Sequence, residues 1–382
     1  NNSNQPMKDD EGLLIFNGMI YNYLEIKKEL ENQNLKFSTN SDTEVLLKFL
    51  NFYGPDQLER LDGMWSFAYY NLHEKSLTLS RDKFGEKPLY YLWKNKELIF
   101  GSNLNYISQI NTKVCKINYS KLKLTINNSF RSLFLDDSSF FKDVKRVEPG
   151  TYLKIDIKRN LYIKKYWRPE KYFRVNKKKY KDNVSTLKNK FYSSIKKRLI
   201  SDFPVSCALS GGIDSGAIVS TANKKFNQKI HSFSIKSKNL NYNENKNILN
   251  ILKKNELEHT FVNIKKNTKR NLDDLADIIE KTSSILPTTT WLIFNALCKR
   301  IKKLNYKVVM SGAGGDEMYG GYYIHHLHFL YSIRNKKYFK LKFDEWKKNV
   351  VPFIRSEKLK NFTMFKNLKN NSDRKFYEYL NQ

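Results

Sequence analysis

The sequence predicts two folds in series: an α+β first half of antiparallel sheet and covering helices, then an α/β second half on a parallel sheet. Three observations carry this. Residues 63–102 hold successive apolar runs broken by short polar turns, the pattern of β-hairpins. Residues 162–183, YIKKYWRPEKYFRVNKKKYKDN, break that pattern with charge, a proline and spaced aromatics, and read as a connection. From 204 to 311 short apolar strands alternate with helical stretches. Such alternation needs crossover connections, and those place the strands in parallel.

Taken in order, LLIFNGMIY (13–21) reads as a buried strand running into a turn at Asn17-Gly18. Residues 23–33 have helical spacing. SDTEVLLKFLNFYG (41–54) reads as a helix capped by Ser41 or Asp42, with Glu44 in its first turn. GMWSFAYYNLHEKSLTLSRD (63–82) is two strands about a polar turn, and PLYYLWKNKELIFGS (88–102) repeats the arrangement. From Val184 the spacing becomes helical, with Val184, Leu187, Phe191, Ile195 and Leu199 on one face. The alternation that follows is strand 204–209, helix 214–224, strand 230–235, helix 243–254, strand 258–263, helices 271–281 and 288–303, and strand 306–311. Residues 324–382 read as basic and aromatic helix, and no internal repeat is present.

The 382 residues suit two domains at ~100–200 residues each. With 40% hydrophobic and 14% aromatic residues both can hold cores. No window approaches the ~20 uninterrupted apolar residues of a membrane helix. The start, NNSNQPMKDDEGLL, has neither the basic flank nor the apolar stretch of a signal peptide. Three scattered cysteines, Cys115, Cys207 and Cys298, lack CxxC spacing. They argue against a disulfide framework or zinc site and for a reducing cytosol. The net charge of +31 is spread along the chain rather than gathered in one block. It reads as a lysine-rich solvated surface that helps attract anionic nucleotides, without identifying a nucleic-acid partner.

The chemistry centres on VSCALSGGIDSGAIVS, residues 205–220. Parallel sheets hold ligands beyond the carboxyl ends of their strands, where Ser210–Ser215 falls. Gly211 and Gly212 let the chain turn tightly and approach a ligand without Cβ interference. The free N–H groups opening the next helix then face an anion, and the Ser210 and Ser215 hydroxyls add donors. Asp214 would repel phosphate directly, so its role is to hold Mg²⁺ bound to that phosphate. The loop is a phosphate cradle, distinct from the lysine-containing GxxxxGK[ST] loop.

SGGIDS resembles the pyrophosphate loop of PP-loop ATPases, and SDFPVSCALSGGIDS resembles the synthetase domain of class B, glutamine-hydrolysing asparagine synthetases. IHSFSIKSKNLNYNENKNI (230–248) and KVVMSGAGGDEMYGGYY (307–323) agree. Earlier in the chain, NQPM, FNGMIYNYLEIKKEL, STNSDTEVLLKFL, RLDGMWSFAYY and RDKFGEKPLYY resemble, in family order, the glutaminase half, a class II amidotransferase domain. The resemblance runs to about Tyr323. It implies an Ntn-type glutaminase over 1–167, a linker over 168–183 and an ATP-pyrophosphatase domain over 184–382, with both outer domains incomplete.

Carried over residue by residue, the Asn17 side chain and Gly18 N–H match the oxyanion donors, and Asp42 matches the residue that holds the amino end of glutamine. The family nucleophile is an N-terminal cysteine, which this chain lacks; either the chain is a piece of a longer protein or its glutaminase half is inactive, and it reads as a piece, cut at both ends. In the second half ATP would rest on Ser210, Gly211, Gly212, Asp214 and Ser215, with Ile235 flanking the adenine and Ser311 and Gly312 closing the opposite wall. Asp214 and Asp316 would hold Mg²⁺ on the pyrophosphate. The implied reaction adenylates aspartate, and ammonia delivered from glutamine through an internal channel displaces AMP. The partners so implied are glutamine, aspartate or another carboxylate, ATP and a second copy in a homodimer, in the cytoplasm.

Departures from the family pattern keep other acceptors open, among them a cell-surface sugar acid or a secondary metabolite. Met19 stands where the family has Glu, Asn103 replaces another Glu, Gly216 replaces a serine, and Ala313 replaces the Glu assigned to assist ammonia attack. A PP-loop enzyme modifying tRNA and a non-catalytic scaffold are further alternatives; residues 12–91 speak against the first. Arg81 and Asp82 read as a structural salt bridge, and Glu317, Tyr319 and Tyr322 as turn and packing residues. His325, His326 and His328 read as part of a packed or solvated helix, and His231 and His259 as local hydrogen-bonding groups.

Overall fold

The computed structural model describes residues 4–110, 116–132, 135–173, 179–236, 244–264, 268–286, 288 and 290–354. Cys115, residues 174–178 of the connection, 237–243 of the second matching segment, residues 265–267 and the tail 355–382 lie outside them. The chain divides into two compact units, one from Asn1–Asp202 with Lys265–Cys298, the other from Phe203–Ile264 with Lys299–Gln382.

The first unit opens with β1 (Met7–Lys8), β2 (Gly12–Ile20), α1 (Tyr23–Glu31) and α2 (Asp42–Tyr53). Ser41 caps α2, its hydroxyl accepting from the Glu44 N–H at 3.2 Å. The buried Glu44 carboxylate turns back to accept from the Ser38 and Thr39 N–H groups, fixing the approach to the helix. The hairpins follow as β3 (Gly63–Asn71) with β4 (Ser76–Arg81), and β5 (Tyr90–Lys94) with β6 (Glu97–Gly101). Then come α3 (Leu104–Ile110), α4 (Tyr119–Asn128), β7 (Val144–Arg146), β8 (Thr151–Ile155), β9 (Leu161–Lys165) and α5 (Tyr180–Arg198).

Strands β1-β2-β3-β4-β8-β9 make a six-stranded antiparallel sheet, and β6-β5-β7 a three-stranded one. Alternation along β3 explains the layering. Phe67 and Tyr69 join Leu14, Ile26, Leu30 and Leu46 under α1 and α2, whereas Ala68 faces Leu79, Tyr91 and Val147 on the other side.

Two expectations are corrected here. Asn17-Gly18 makes no turn: β2 continues through Ile20, with Gly18 opposite Trp65 and Ile20 opposite Gly63. The missing side chain serves close strand approach, since a Cβ on Gly18 would lie 2.1 Å from the Met64 carbonyl oxygen. Arg81 and Asp82 serve backbone groups rather than each other. Arg81 donates to the carbonyls of Gly85, Lys87 and Val147, and buried Asp82 accepts from the N–H groups of Trp65, Phe84, Glu86 and Lys87. On α5, Ile195 is buried, but Val184 and Leu187 are exposed.

The second unit contains β10 (Val205–Ala208), α6 (Ile213–Phe226), β11 (His231–Lys236), α7 (Asn245–Asn255) and β12 (His259–Asn263). After α8 (Thr268–Thr282) and most of α9 (Thr290–Lys303), which belong to the first unit, the second unit resumes with β13 (Val308–Met310), α10 (Gly315–Tyr319), α11 (Tyr323–Ser332) and α12 (Phe339–Asn349). The sheet order is β12-β11-β10-β13, every pair parallel, as the alternation predicts.

His231 and His259 take local hydrogen bonds, to Glu258 and Thr260 and to the Ser232 hydroxyl respectively. The His259 Nε2 is buried without a hydrogen-bond partner among the described residues. Burial, then the neighbouring His231, pulls the His259 imidazole down to about 4. A depressed histidine takes up its proton more readily in the unfolded chain. Its contribution to stability is therefore complete above its ordinary pKa of 6.5 and is lost as pH falls from there toward about 4. The expected result is a urea midpoint that drops between pH 7 and pH 5 by more in the parent protein than in His259→Gln; equal drops would contradict it.

Candidate functional site

Strand β10 is where the sheet order reverses: its connection through α6 leads to β11 and β12, whereas β13 lies on its other side. Ligands in open α/β sheets bind at such a switch point, outside the carboxyl ends of the strands. Two glycine-rich loops end the strands there, 209–212 after β10 and 311–314 after β13.

The first loop is held from within. The Leu209 N–H donates to the Phe233 carbonyl, and the Ser234 hydroxyl donates to the Leu209 carbonyl at 2.5 Å. The Ser210 N–H donates to Ser215 Oγ at 3.1 Å, the two hydroxyls lie 3.0 Å apart, and the Gly212 N–H donates to Ser210 Oγ at 3.3 Å. Ser215 is buried, so its hydroxyl shapes the loop. Gly211 turns at φ +80, and a Cβ there would press on Glu244 and Ile248 at 3.1 Å. Gly212 opens α6 without a side-chain cap, and Ile213 beside it is exposed. The leading amides of α6 are thus presented for an anion. A cleft of about 340 Å³ opens beside them, between Gly211, Gly212 and Gly216 and the α7 side chains Asn247, Asn250 and Ile251.

The second loop closes on the first. A Cβ on Gly312 would stand 2.9 Å from the Ser215 nitrogen, and one on Gly315 would stand 2.5 Å from Asp214 Cγ. Asp214 therefore sits in a slot that only glycine leaves open. Asp316 lies against Gly321, whose N–H and that of Gly320 both donate to the Asp316 carbonyl. The Tyr322 hydroxyl donates to Glu317 at 2.7 Å. That bond, burial and the charges of Glu317, Asp316 and Asp214 push Tyr322 up to about 12. Ile235 is half-buried near the carboxyl end of β11, opposite Val262. Ser311 and Ala313 are exposed on the second loop, and a Cβ on Gly216 would stand 3.1 Å from Ile251 Cδ1.

Among the described residues no group of three or more His, Cys, Asp or Glu is arranged to hold a metal. Asp214 and Asp316 each carry an oxygen donor of the kind Mg²⁺ takes, and that ion usually draws its remaining ligands from waters and phosphate oxygens.

In the first unit the outer edge of β2 carries a row of N–H groups. The Phe16 N–H donates to Gln5 Oε1 at 2.7 Å and the Ile20 N–H to Asp42 Oδ2 at 3.0 Å. Alternate strand residues direct their N–H groups to the same edge, so that of Gly18 falls between these two. Asn17 is exposed beside it. Burial raises the Asp42 carboxyl, against the N–H groups of Ile20 and Thr43. Asp42 thus meets, at Ile20, the strand edge on which the Gly18 N–H lies, and Asn17 stays exposed on the same strand. Asn103 opens α3, its side chain accepting from the Asn105 N–H and donating to the Lys281 carbonyl.

Sequence reasoning missed Gly315, Gly321 and Ser234. Gly315 and Ser234 support residues distant in the chain, Asp214 and Leu209, whereas Gly321 supports nearby Asp316. For the glycines the Gly-Gly pairs give a signal, and for Ser234 nothing local does.

The glutamine amidotransferase domain description matches residues 1–167, and the asparagine synthase description matches residues 186–379, just over half of the chain. This chain belongs to the asparagine synthase family. It is 31% identical over 328 residues to asparagine synthetase [glutamine-hydrolyzing] 1 of Bacillus subtilis (strain 168), covering 85% of this chain and 50% of that protein. It is 32% identical over 322 residues to putative asparagine synthetase [glutamine-hydrolyzing] 2 of Methanocaldococcus jannaschii, covering 82% of this chain and 59% of that one. The chain spans about half the length of the curated relatives it matches. Among solved structures, glutamine phosphoribosylpyrophosphate amidotransferase from B. subtilis aligns with 81% of this chain and 73% of its own at 14% identity and TM-score 0.31, too loosely to bear on function.

Proposed function

We propose that this chain is part of a glutamine-hydrolysing asparagine synthetase, an ATP-dependent carbon–nitrogen ligase of the cytoplasm. The observation that carries it is Asp214, seated between two glycine-rich loops at the switch point of a parallel sheet. The proposed domains are the glutaminase over 1–167, a linker over 168–183 and the synthetase over 184–382.

In the synthetase, the amides at the start of α6, with Ser210, Gly211 and Gly212, hold the polyphosphate of ATP. Ser215 keeps that loop in shape, Ile235 flanks the adenine, and Ser311 and Gly312 form the facing wall. Asp214 and Asp316 would hold Mg²⁺, which when bound offsets the charge of the departing pyrophosphate. The aspartate side-chain carboxylate attacks the α-phosphate, and ammonia then displaces AMP. In the glutaminase, Asn17 and the Gly18 N–H serve as oxyanion donors, and Asp42 accepts from the α-ammonium group of glutamine.

The test is ATP–pyrophosphate exchange with Mg²⁺ and each of several carboxylic acids. Exchange that requires aspartate is expected, and exchange without any acid, or none at all, would refute the proposal. Ala313, exposed where the family carries Glu, favours a second reading in which another carboxylate is the acceptor. Exchange with that acid and not with aspartate would select it.

A further inference from the structure

The end of α5 is built onto the glutamine-facing side of the first unit, although α5 falls largely within the stretch matched by the asparagine synthase description. Lys197 Nζ lies 3.2 Å from Asp62 Oδ2 and 3.8 Å from Glu25 Oε1. The Arg198 guanidinium stacks over the Tyr21 ring, 4.5 Å from its centroid. Together these two cations grip three points, Tyr21, Glu25 and Asp62.

Those points frame the amino-acid site. The Tyr21 N–H donates to the Asp62 carbonyl at 2.7 Å, and the Asp62 N–H donates to Asn22 Oδ1 at 2.8 Å. The Asn22 side chain also donates to the Arg60 carbonyl, so the 60–62 turn and the strand end at 20–22 form one knot. Immediately before Tyr21 is Ile20, whose N–H donates to the Asp42 carboxylate at 3.0 Å. Gly18 lies two residues further back on the same strand edge. Movement of Tyr21 therefore shifts both the Ile20 donor and the Asp42 carboxylate it holds. Asp202, four residues beyond Arg198, adds its charge to the field at Asp42 and Tyr23.

We propose that Lys197 and Arg198 are positioning residues for the glutamine site: they clamp the 20–25 and 60–62 segments so that Asp42 and the Gly18 N–H meet the substrate's ammonium and amide ends. This rests on the glutamine reading of Asn17, Gly18 and Asp42. Neither cation contacts the substrate; both act through Tyr21 and Asp62. The ion pair to Asp62 is partly exposed, and such pairs have modest effects singly, so the two contacts are tested together.

The test is calorimetric titration of the full chain with L-glutamine and, separately, with ATP. Lys197→Met/Arg198→Met is expected to bind glutamine about tenfold more weakly while ATP affinity stays within twofold. The swap Lys197→Arg/Arg198→Lys is expected to recover most of the loss, since both positions keep their charge. Asp62→Asn, which removes one partner from the opposite side, is expected to weaken glutamine in the same direction and supplies the test should the double variant fail to fold. Unchanged glutamine affinity in the methionine variant, or in Asp62→Asn if that variant alone folds, overturns the clamp. So does a loss that the charge-retaining swap fails to recover. Separately, no glutamine binding by the parent chain, or none of it lost in Asp42→Asn, overturns the glutamine reading itself.

Discussion

Alanine at position 18 is expected to break the pairing of β2 with β3 and lower the stability of the first unit by about 3 kcal/mol or more. The added Cβ would lie 2.1 Å from the Met64 carbonyl oxygen, 2.8 Å from Trp65 Cα and 3.0 Å from the Met64 carbonyl carbon. All three are backbone atoms of the neighbouring strand, so no rotamer change relieves the clash. The strands must separate, and Trp65, fully buried beneath α2, must move with them. The same displacement would shift the row of N–H groups that anchors Asp42. Gly54→Ala is the control. A side chain there meets open space, and the penalty comes only from the backbone, whose φ +71 and ψ 178 lie in a region open essentially to glycine, about 1–3 kcal/mol. Urea unfolding followed by near-ultraviolet circular dichroism compares the two. A midpoint shift for Gly18→Ala no larger than that for Gly54→Ala would show that β2 does not lie against β3 in this way.

The same glycine shows how far the sequence can be read. Asn-Gly is a strong turn signal because both residues tolerate positive φ. Nothing local distinguishes that use from a glycine demanded by a carbonyl on another strand. The hairpins of residues 63–102 are legible because alternation is local, and so is the parallel order, because strand–helix alternation leaves few topologies. The face of α5 is legible as spacing but not as burial: the apolar period names residues that share a side, not whether anything covers it. Arg81 and Asp82 mislead for a related reason. Adjacent opposite charges suggest a pair, yet each meets backbone groups, one of them at Val147, that only the folded chain brings near. At the candidate site, Ser210–Ser215 is legible from two glycines at a strand end. The slot for Asp214 is not, because Gly312 and Gly315 are about a hundred residues away in the chain and their importance lies in what they leave vacant.

That slot makes the second large effect. Asp214→Ala is expected to lower ATP–pyrophosphate exchange by about 10²–10³-fold, the range seen when one charge-stabilising group is removed from an active site. Gly315→Ala should approach the same loss without touching any proposed ligand. Its new methyl would stand 2.5 Å from Asp214 Cγ and 2.8 Å from each carboxylate oxygen, driving the carboxylate out of its seat. The two routes converge on one group, so the effects should not add. Residues acting through a shared partner show large coupling energies, whereas independent sites add within a few tenths of a kcal/mol. The double variant Asp214→Ala/Gly315→Ala is therefore expected to match Asp214→Ala alone. Multiplicative losses would mean that Gly315 acts apart from Asp214, through the backbone of the second loop. Full exchange in Asp214→Ala would remove that carboxylate from the chemistry. Unchanged unfolding midpoints in all three variants would confirm that exchange, rather than folding, is what the slot controls.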